Sequence, residues 1–349
     1  MKMPLTHDKE NRKCNLLDVI FNIIDSRETK QELSRNNMKP VNTTLNYVKV
    51  ALISMFYKMD KFYIVNELNN SDKLRKDFGF QSKLNYFQIA EVFSRFDDSQ
   101  VLEFVIKLSN KQFKNGKRGI RKIIIDSTDI QFNINLKKEY KTKEKLEEKG
   151  YEIGFSTKKG SFIGGKLTIA MDYNTCQPLT MLFHPGAVSD IKLYEKILKD
   201  LDRRRILKNK DIIYADKGYL SYNNYYLGLI KYKIVPMIYP KKNIKKEKIM
   251  SQFNYPLETF NGKNKLIELY KSLVTSFNKL FNDKKTFKYI RSKIEDFNKF
   301  FKNGVGYEKI PSYTYKSVKK TTYLSVLLAT LISSYLKPDK KLLQQLSEM

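Results

Sequence analysis

Two aspartates in this sequence each come directly after a short apolar run of the kind found in buried strands. Asp126 follows the isoleucines at 123–125, and Asp216 follows the apolar stretch 212–215. A carboxylate at such a place is costly unless it is paired or bound to a cation. A strand end also holds oxygen ligands rigidly, which suits a hard cation such as Mg²⁺. Either aspartate alone is equally well explained as a turn or helix cap, but the two together favour a metal-dependent site.

A third carboxylate, Glu295, falls in a segment with helical spacing at 287–302. The core-facing positions of that segment recur at i, i+3, i+7, i+10 and i+14, and they are Phe287, Ile290, Ile294, Phe297 and Phe301. Glu295 lies beside this stripe, within about 40° of Arg291 and Lys302 around the helix. The simpler alternative is a surface Arg–Glu pair worth about half a kcal/mol.

Three other acids compete with Glu295 for the role of third carboxylate: Asp296, Glu268 and Glu258. Asp296 lies about 100° round the helix from Glu295, away from the core stripe. Glu295 is therefore the preferred candidate.

The sequence has two cysteines and two histidines, which is too few to favour a disulfide framework, a zinc site or catalysis by a histidine base. Cys14 and Cys176 are the two cysteines, and the absence of a CxxC pair argues against a disulfide framework or a zinc site. This cysteine usage fits a reducing cytosol, so a cytoplasmic, nucleoid-associated location is expected. Of two histidines, His184 is the candidate for a base, although its place beside Pro185 at a strand end favours a turn residue.

The elements that must position these acids follow from hydrophobic periodicity. Helical spacing dominates from 41 to about 113, and after a charged joint the pattern changes to β-branched runs. Strands are predicted at 122–126, 166–171, 178–183, 212–215 and 234–239, with a helix at 191–201. A C-terminal helix at 318–336 is expected to pack against the sheet. The alternation of strands and helices predicts an α/β fold with a mixed sheet.

The domain organisation follows from the same changes in composition. We predict a polar N-terminal segment at 1–40, a helical DNA-binding or cap domain at 41–115, a catalytic domain at 116–340 with a Lys-rich insertion at 241–285, and a tail at 341–349.

The charge balance indicates a polyanionic partner. The chain has 66 lysines and arginines against 37 aspartates and glutamates, a formal net charge of +29. Neutralising phosphates with release of their counterions is the general use of such an excess. AT-rich genes and thermophily also enrich lysine, but in thermophiles glutamate rises with it. No apolar run reaches the roughly 18 residues of a membrane span, so no membrane partner is expected.

Four short motifs make the sequence resemble the DDE transposases of prokaryotic insertion sequences, in particular the insertion-sequence-four family. Asp126-Ser127-Thr128 matches the first-strand motif, and residues 215–219 (ADKGY) match the second-Asp motif closely. His184-Pro185-Gly186 with Asp190-Ile191-Lys192 resembles the segment between them. The Arg291, Glu295 and Lys302 spacing fits the signature around the third acid, although Lys288 replaces its tyrosine and Tyr289 follows one residue later.

The resemblance implies an RNase H-like mixed sheet flanked by helices, with an N-terminal helical domain. It implies that Asp126, Asp216 and Glu295 bind two Mg²⁺ or Mn²⁺ ions at a site that cleaves and joins DNA strands. Four basic residues would contact DNA phosphates: Lys217, Lys288, Arg291 and Lys302. The partners would be double-stranded DNA, both transposon ends and target, and a second copy of the chain in a homodimer on paired ends.

Two neighbours of Asp216 have structural interpretations as well. Gly218 is expected to permit a tight turn, and Tyr219 is expected to lie in the core rather than to stack on a base.

Three other functions remain open on the sequence. A transposase-derived DNA-binding protein that no longer cuts would keep the basic surface, but all three acids are present here. A related RNase H-like nuclease that only hydrolyses would share the metal site. A basic RNA-associated protein would carry aromatic RNA-binding motifs or arginine-rich arms, which this sequence lacks.

Overall fold

The computed structural model describes residues 12–109, 119–132, 144, 153–156, 160–239, 244–251, 264–305, 309–310 and 315–335. The chain forms two compact units. The first contains 1–112, 132–136 and 299–349, and the second contains 113–131 and 137–298. Three predicted features lie wholly or partly outside the described residues: the tail at 341–349, parts of the insertion at 241–285, and the first eleven residues of the N-terminal segment.

The first unit is built from helices. They are α1 (Arg12–Asp25), α2 (Arg27–Arg35), α3 (Val41–Phe56), α4 (Lys61–Asn70), α5 (Asp72–Asp77), α6 (Tyr86–Ser94) and α7 (Asp98–Ser109), with the C-terminal helix described below. Several begin at residues that cap a helix well, including Ser26, Asp60, Ser71 and Asn85. Helix α3 is buried from Thr44 to Met55 and forms the centre of this unit. The helices at 12–35 were not anticipated in the segment described from sequence as polar.

The C-terminal helix packs mainly among helices. It spans Tyr315–Tyr335 and contacts α7 and α3, all within the first unit. Its central residues, from Thr322 to Ala329, are buried on every side, so no single apolar face indicated its partner. The expected contact with the sheet is seen at the start of the helix, where the rings of Tyr315 and of Phe132, the last residue of β1, have centroids 6.3 Å apart.

The second unit contains a mixed β-sheet. Its strands are β1 (Lys122–Phe132, whose last residue belongs to the first unit), β2 (Ile153–Ser156), β3 (Gly160–Asp172), β4 (Pro178–Pro185), β5 (Ile212–Ala215) and β6 (Val235–Ile238). The strand order is β2-β3-β1-β5-β6, and β4 also pairs with β3. Strands β5 and β6 run parallel to β1, whereas β3 is antiparallel to it. All five predicted strands are confirmed, and β2 is an addition.

Helices flank this sheet, as the α/β prediction required. They are α8 (Asp190–Arg203), α9 (Tyr222–Tyr226), α10 (Asn264–Phe281) and α11 (Lys284–Lys299). Helix α8 packs on β4 and α10 packs on β6. The helix predicted at 287–302 is interrupted, because α11 gives way at Phe300–Gly304 to a π-helical turn. A two-residue strand, Lys309–Ile310, precedes the C-terminal helix, which is α12.

Within the described residues, no helix is both long and apolar enough to cross a membrane.

Candidate active site

Asp126 and Asp216 lie side by side, each directly after the last pair of the parallel pairing between β1 and β5. Ile125 of β1 pairs with Ala215, the last residue of β5; Asp126 is the next residue of β1, and Asp216 is the first residue after β5. Parallel strands in register bring equivalent positions side by side, so the two carboxylates leave the sheet together. Strand β1 does not end at Asp126, as the sequence suggested, because β3 continues to pair with it as far as Gln131.

Helix α11 carries the third acid to the same place. Its predicted stripe is buried, and the ring of Phe287 packs against Tyr214 of β5 and Tyr239 after β6, with centroids 5.7 and 5.0 Å apart. One turn later, the Arg291 guanidinium contacts two of the three acids. It lies 3.1 Å from Asp216 Oδ1 and 2.7 Å from Glu295 Oε1. Arg291 therefore joins Asp216 and Glu295.

Asn298 contacts the remaining acid and was not identified from the sequence. Its Nδ2 donates to Asp126 Oδ2 at 3.1 Å, and the side chain is only 9% exposed. Asn298 follows Arg291 by seven residues and Glu295 by three, so the three residues share one face of the helix. That spacing was visible in the sequence, but a single asparagine beside a stripe carries little signal without knowledge of what faces it.

The electrostatics of Asp126 reflect this convergence of charge. Burial raises the pKa of Asp126 to about 7, with further increases from the negative charges of Asp216 and Glu295. The Arg291 guanidinium and the backbone N–H of Ser127 act in the opposite direction. A carboxylate whose pKa is raised by burial and by like charges lies where added positive charge is favourable.

The residues present match a divalent cation in chemistry. Three carboxylates are hard oxygen donors of the kind that Mg²⁺ and Mn²⁺ prefer. In the described part of the chain, however, no three acids, histidines or cysteines are already spaced as metal ligands. The Arg291 guanidinium lies within ion-pair distance of oxygens of Asp216 and Glu295 that a cation would also use.

A chain of hydrogen bonds ties the two Asp-bearing segments together. Tyr219 Oη lies 2.6 Å from Ser127 Oγ, which lies 2.7 Å from Thr168 Oγ1. Thr168 Oγ1 lies 3.0 Å from His184 Nε2, and His184 Nδ1 lies 3.0 Å from the carbonyl oxygen of Pro185. Since a carbonyl only accepts, Nδ1 carries the proton of the neutral ring and Nε2 accepts from Thr168. Each hydroxyl then donates to the next, from Tyr219 through Ser127 and Thr168 to His184.

This network decides between interpretations that the sequence left open. Tyr219 is 1% exposed and is a core residue, and burial raises its pKa well above the usual value, so the phenol keeps its proton. His184 is 7% exposed and its Nδ1 donates to the neighbouring carbonyl, which agrees with a structural residue beside a strand end. Burial lowers the pKa of His184.

Gly218 lies in a short 3₁₀ turn, Lys217–Tyr219, which agrees with the expected tight turn, although its backbone is not in the left-handed region. A Cβ at this position would lie 2.9 Å from Asp190 Oδ2. Close approach of Asp190, at the start of α8, is a second reason for a glycine here.

The proposed DNA contacts differ in their surroundings. Lys217 and Lys288 are exposed, and Lys217 follows Asp216, to whose Oδ1 its backbone N–H donates at 2.6 Å. Arg291 is partly buried in its ion pairs. Lys302 is half-buried in the π-helical turn and belongs to the first unit.

The competing third acids are Asp296, Glu268 and Glu258. Asp296 and Glu268 are exposed, on α11 and α10, and Glu258 lies outside the described residues. Glu295 is exposed as well, and it differs from Asp296 and Glu268 by its ion pair with Arg291 and by its electrostatic effect on Asp126.

Comparison with known families gives one match. A family model described as "Transposase DDE domain" matches residues 117–331, which is more than half of the chain and includes all three acids. Comparison with curated proteins gave no match.

Proposed function

This chain belongs to the DDE transposase family, and from that premise we propose that it is an active DNA transposase of an insertion sequence. It would cleave DNA strands at the ends of the element and join the exposed 3′-hydroxyls to a target by transesterification. Asp126, Asp216 and Glu295 would be its catalytic carboxylates.

The pairing of Ile125 with Ala215 is the observation that carries this proposal. It brings two carboxylates that are 90 residues apart in sequence side by side, where the parallel pairing of β1 with β5 ends. A site for phosphodiester chemistry needs such fixed oxygen ligands, because the reacting groups must be held in line. Helix α11 adds Glu295 by way of Arg291, which contacts both Asp216 and Glu295.

The three acids would hold two Mg²⁺ or Mn²⁺ ions. When bound, the ions would make a water or a 3′-hydroxyl a stronger nucleophile and would stabilise the leaving oxygen. Asp126 and Asp216 would orient their oxygens from the sheet, and Glu295 would close the site from the helix. Arg291 would have to exchange its acid partners for a DNA phosphate, a ligand that guanidinium binds equally well.

Basic residues near the acids support a DNA substrate. Lys217 and Lys288 are exposed, and a phosphate backbone would neutralise them together with part of the +29 net charge. Lys302 would contribute a further phosphate contact. Binding of two transposon ends would require two copies of the chain, so we propose a homodimer on paired ends.

Cleavage of DNA that carries the ends of the element tests the proposal. Asp126→Asn, Asp216→Asn and Glu295→Gln should each abolish Mg²⁺-dependent cutting in a gel assay, because each removes a charged ligand but keeps its shape. DNA binding should survive in all three. Asp296→Asn is the matched control, since it removes an exposed carboxylate from the same helix and should cut normally.

Other outcomes would support other functions. Cutting by the wild-type chain in EDTA, or full activity in any of the three variants, would contradict the assignment. A wild-type chain that binds but never cuts would be a transposase-derived DNA-binding protein. Hydrolysis without strand joining would indicate a nuclease of the same fold.

A further inference from the structure

Asn298 lies near the end of α11 and contacts the first aspartate of the candidate site. Its Nδ2 donates to Asp126 Oδ2 at 3.1 Å, and the side chain is 9% exposed. The helical face that carries Glu295 thus also brings a neutral amide to Asp126.

The other end of the amide has no partner in the described structure. Asn298 Oδ1 is buried and accepts no hydrogen bond from the described residues. A buried acceptor that has lost its bonds to water lowers stability, and an apolar side chain of the same shape would avoid that loss. A buried polar group that lowers stability points to a role other than packing.

A neutral donor suits Asp126 for an electrostatic reason. A lysine or arginine at this position would neutralise the carboxylate and would compete with a bound cation. An amide N–H fixes the orientation of the carboxylate and leaves its full negative charge. By contrast, Asp216 and Glu295 are held by the charged Arg291, which must move before those oxygens can bind a cation.

We propose, resting on the metal-dependent function above, that Asn298 is a positioning residue of the metal site. Its amide holds Asp126 in the orientation that would bind a divalent cation, and its buried Oδ1 is an unpaired polar atom beside that carboxylate. Hydrogen-bonding partners of metal ligands typically change metal affinity about 10- to 100-fold when they are removed.

Binding of Mn²⁺ to the full-length chain without DNA provides the test, with the unbound ion counted by electron paramagnetic resonance. Asn298→Leu keeps the volume and removes both polar groups, so the Kd for Mn²⁺ should rise about 10- to 100-fold. Its thermal midpoint without metal should change little, because loss of the unpaired acceptor offsets loss of the hydrogen bond to Asp126. Ser292→Ala is the matched control on the same helix, where the hydroxyl donates to the Tyr289 carbonyl, and it should bind Mn²⁺ normally.

Asp126→Asn separates failure of this inference from failure of the proposed function. If Asp126→Asn loses Mn²⁺ while Asn298→Leu binds it with wild-type affinity, the role of Asn298 is wrong and the metal site stands. A lower thermal midpoint with unchanged affinity in Asn298→Leu would likewise make Asn298 a packing residue. If Asp126→Asn binds Mn²⁺ as the wild type does, the metal site itself is wrongly assigned and the inference fails with it.

Discussion

Asp126 and Asp216 have side-chain partners of different charge. Asp126 accepts from the neutral amide of Asn298, whereas Asp216 pairs with the charged guanidinium of Arg291. Burial and two nearby carboxylates raise the pKa of Asp126 to about 7. Positive charge placed near Asp126 would therefore stabilise its ionised carboxylate, and the proposed cation would provide that charge.

His184 should make stability depend on pH through the hydrogen-bonded network. Burial lowers its pKa below the ordinary 6.5, with Lys166 and Lys196 acting in the same direction and the Pro185 carbonyl and Asp190 opposing them. Between the folded and unfolded pKa values the unfolded chain binds more protons, so stability rises with pH there. The contribution is complete above about pH 6.5 and is lost as pH falls through the lower folded pKa.

Urea unfolding of the wild type and of His184→Gln between pH 7.5 and 5.5 measures this effect. The wild type should lose more stability on acidification than the variant, which has no titrating group at 184. Asp126 titrates in the same range, but it is present in both proteins and cancels in the difference. Parallel curves for the two proteins would contradict the assignment of a buried, neutral imidazole.

At the scale of elements, α11 positions the site. Its stripe is buried, with Phe287 packed against Tyr214 of β5, and the polar side chains beside that stripe contact Asp126 of β1 and Asp216, the residue after β5. The π-helical turn at Phe300–Gly304 follows directly, so the regular face of the helix ends just after Asn298.

Ile294→Ala tests this dependence, because Ile294 is fully buried next to Glu295 in sequence. Loss of the buried side chain should cost about 2–5 kcal/mol of unfolding free energy, measured by urea titration. Tyr289→Ala, at a 64% exposed position on the same helix, should change stability by about 0.5 kcal/mol or less. Equal effects of the two substitutions would mean that the stripe does not anchor the helix.

For the whole molecule, the net charge of +29 dominates the expected behaviour toward DNA. Lysines and arginines that neutralise phosphates release counterions, so affinity should fall steeply as salt is added.

Fluorescence anisotropy with a labelled duplex gives the slope of log affinity against log salt concentration. For about 6–10 phosphate contacts, affinity should fall by about 10³- to 10⁵-fold between about 50 and 200 mM salt. Lys217→Ala should reduce the magnitude of the slope by about one. Lys30→Ala, which removes an exposed lysine from α2, is the control and should leave the slope unchanged. An affinity that does not respond to salt would exclude phosphate contacts as the main source of binding.

The sequence by itself determined five strands of the sheet and the buried face of α11. Runs such as 123–125 and the stripe from Phe287 to Phe301 encode burial locally, since side-chain direction repeats every two residues in a strand and every 3.6 in a helix. Those local rules also placed Asp126, Asp216 and Glu295 beside apolar segments, which is why they could be selected as candidates.

Only the tertiary structure decided which elements meet. Helix α12 packs mainly on α7 and α3, and the sequence did not indicate these partners, because a helix buried on all sides carries no directional signal. Strand β1 extends past Asp126 because β3 pairs with it, and a side chain at Gly218 would crowd Asp190, 28 residues earlier in sequence. The contact of Asn298 with Asp126 likewise joins residues far apart in the chain. Periodicity reports how deeply a residue is buried, whereas the identity of its partner depends on how distant segments pack.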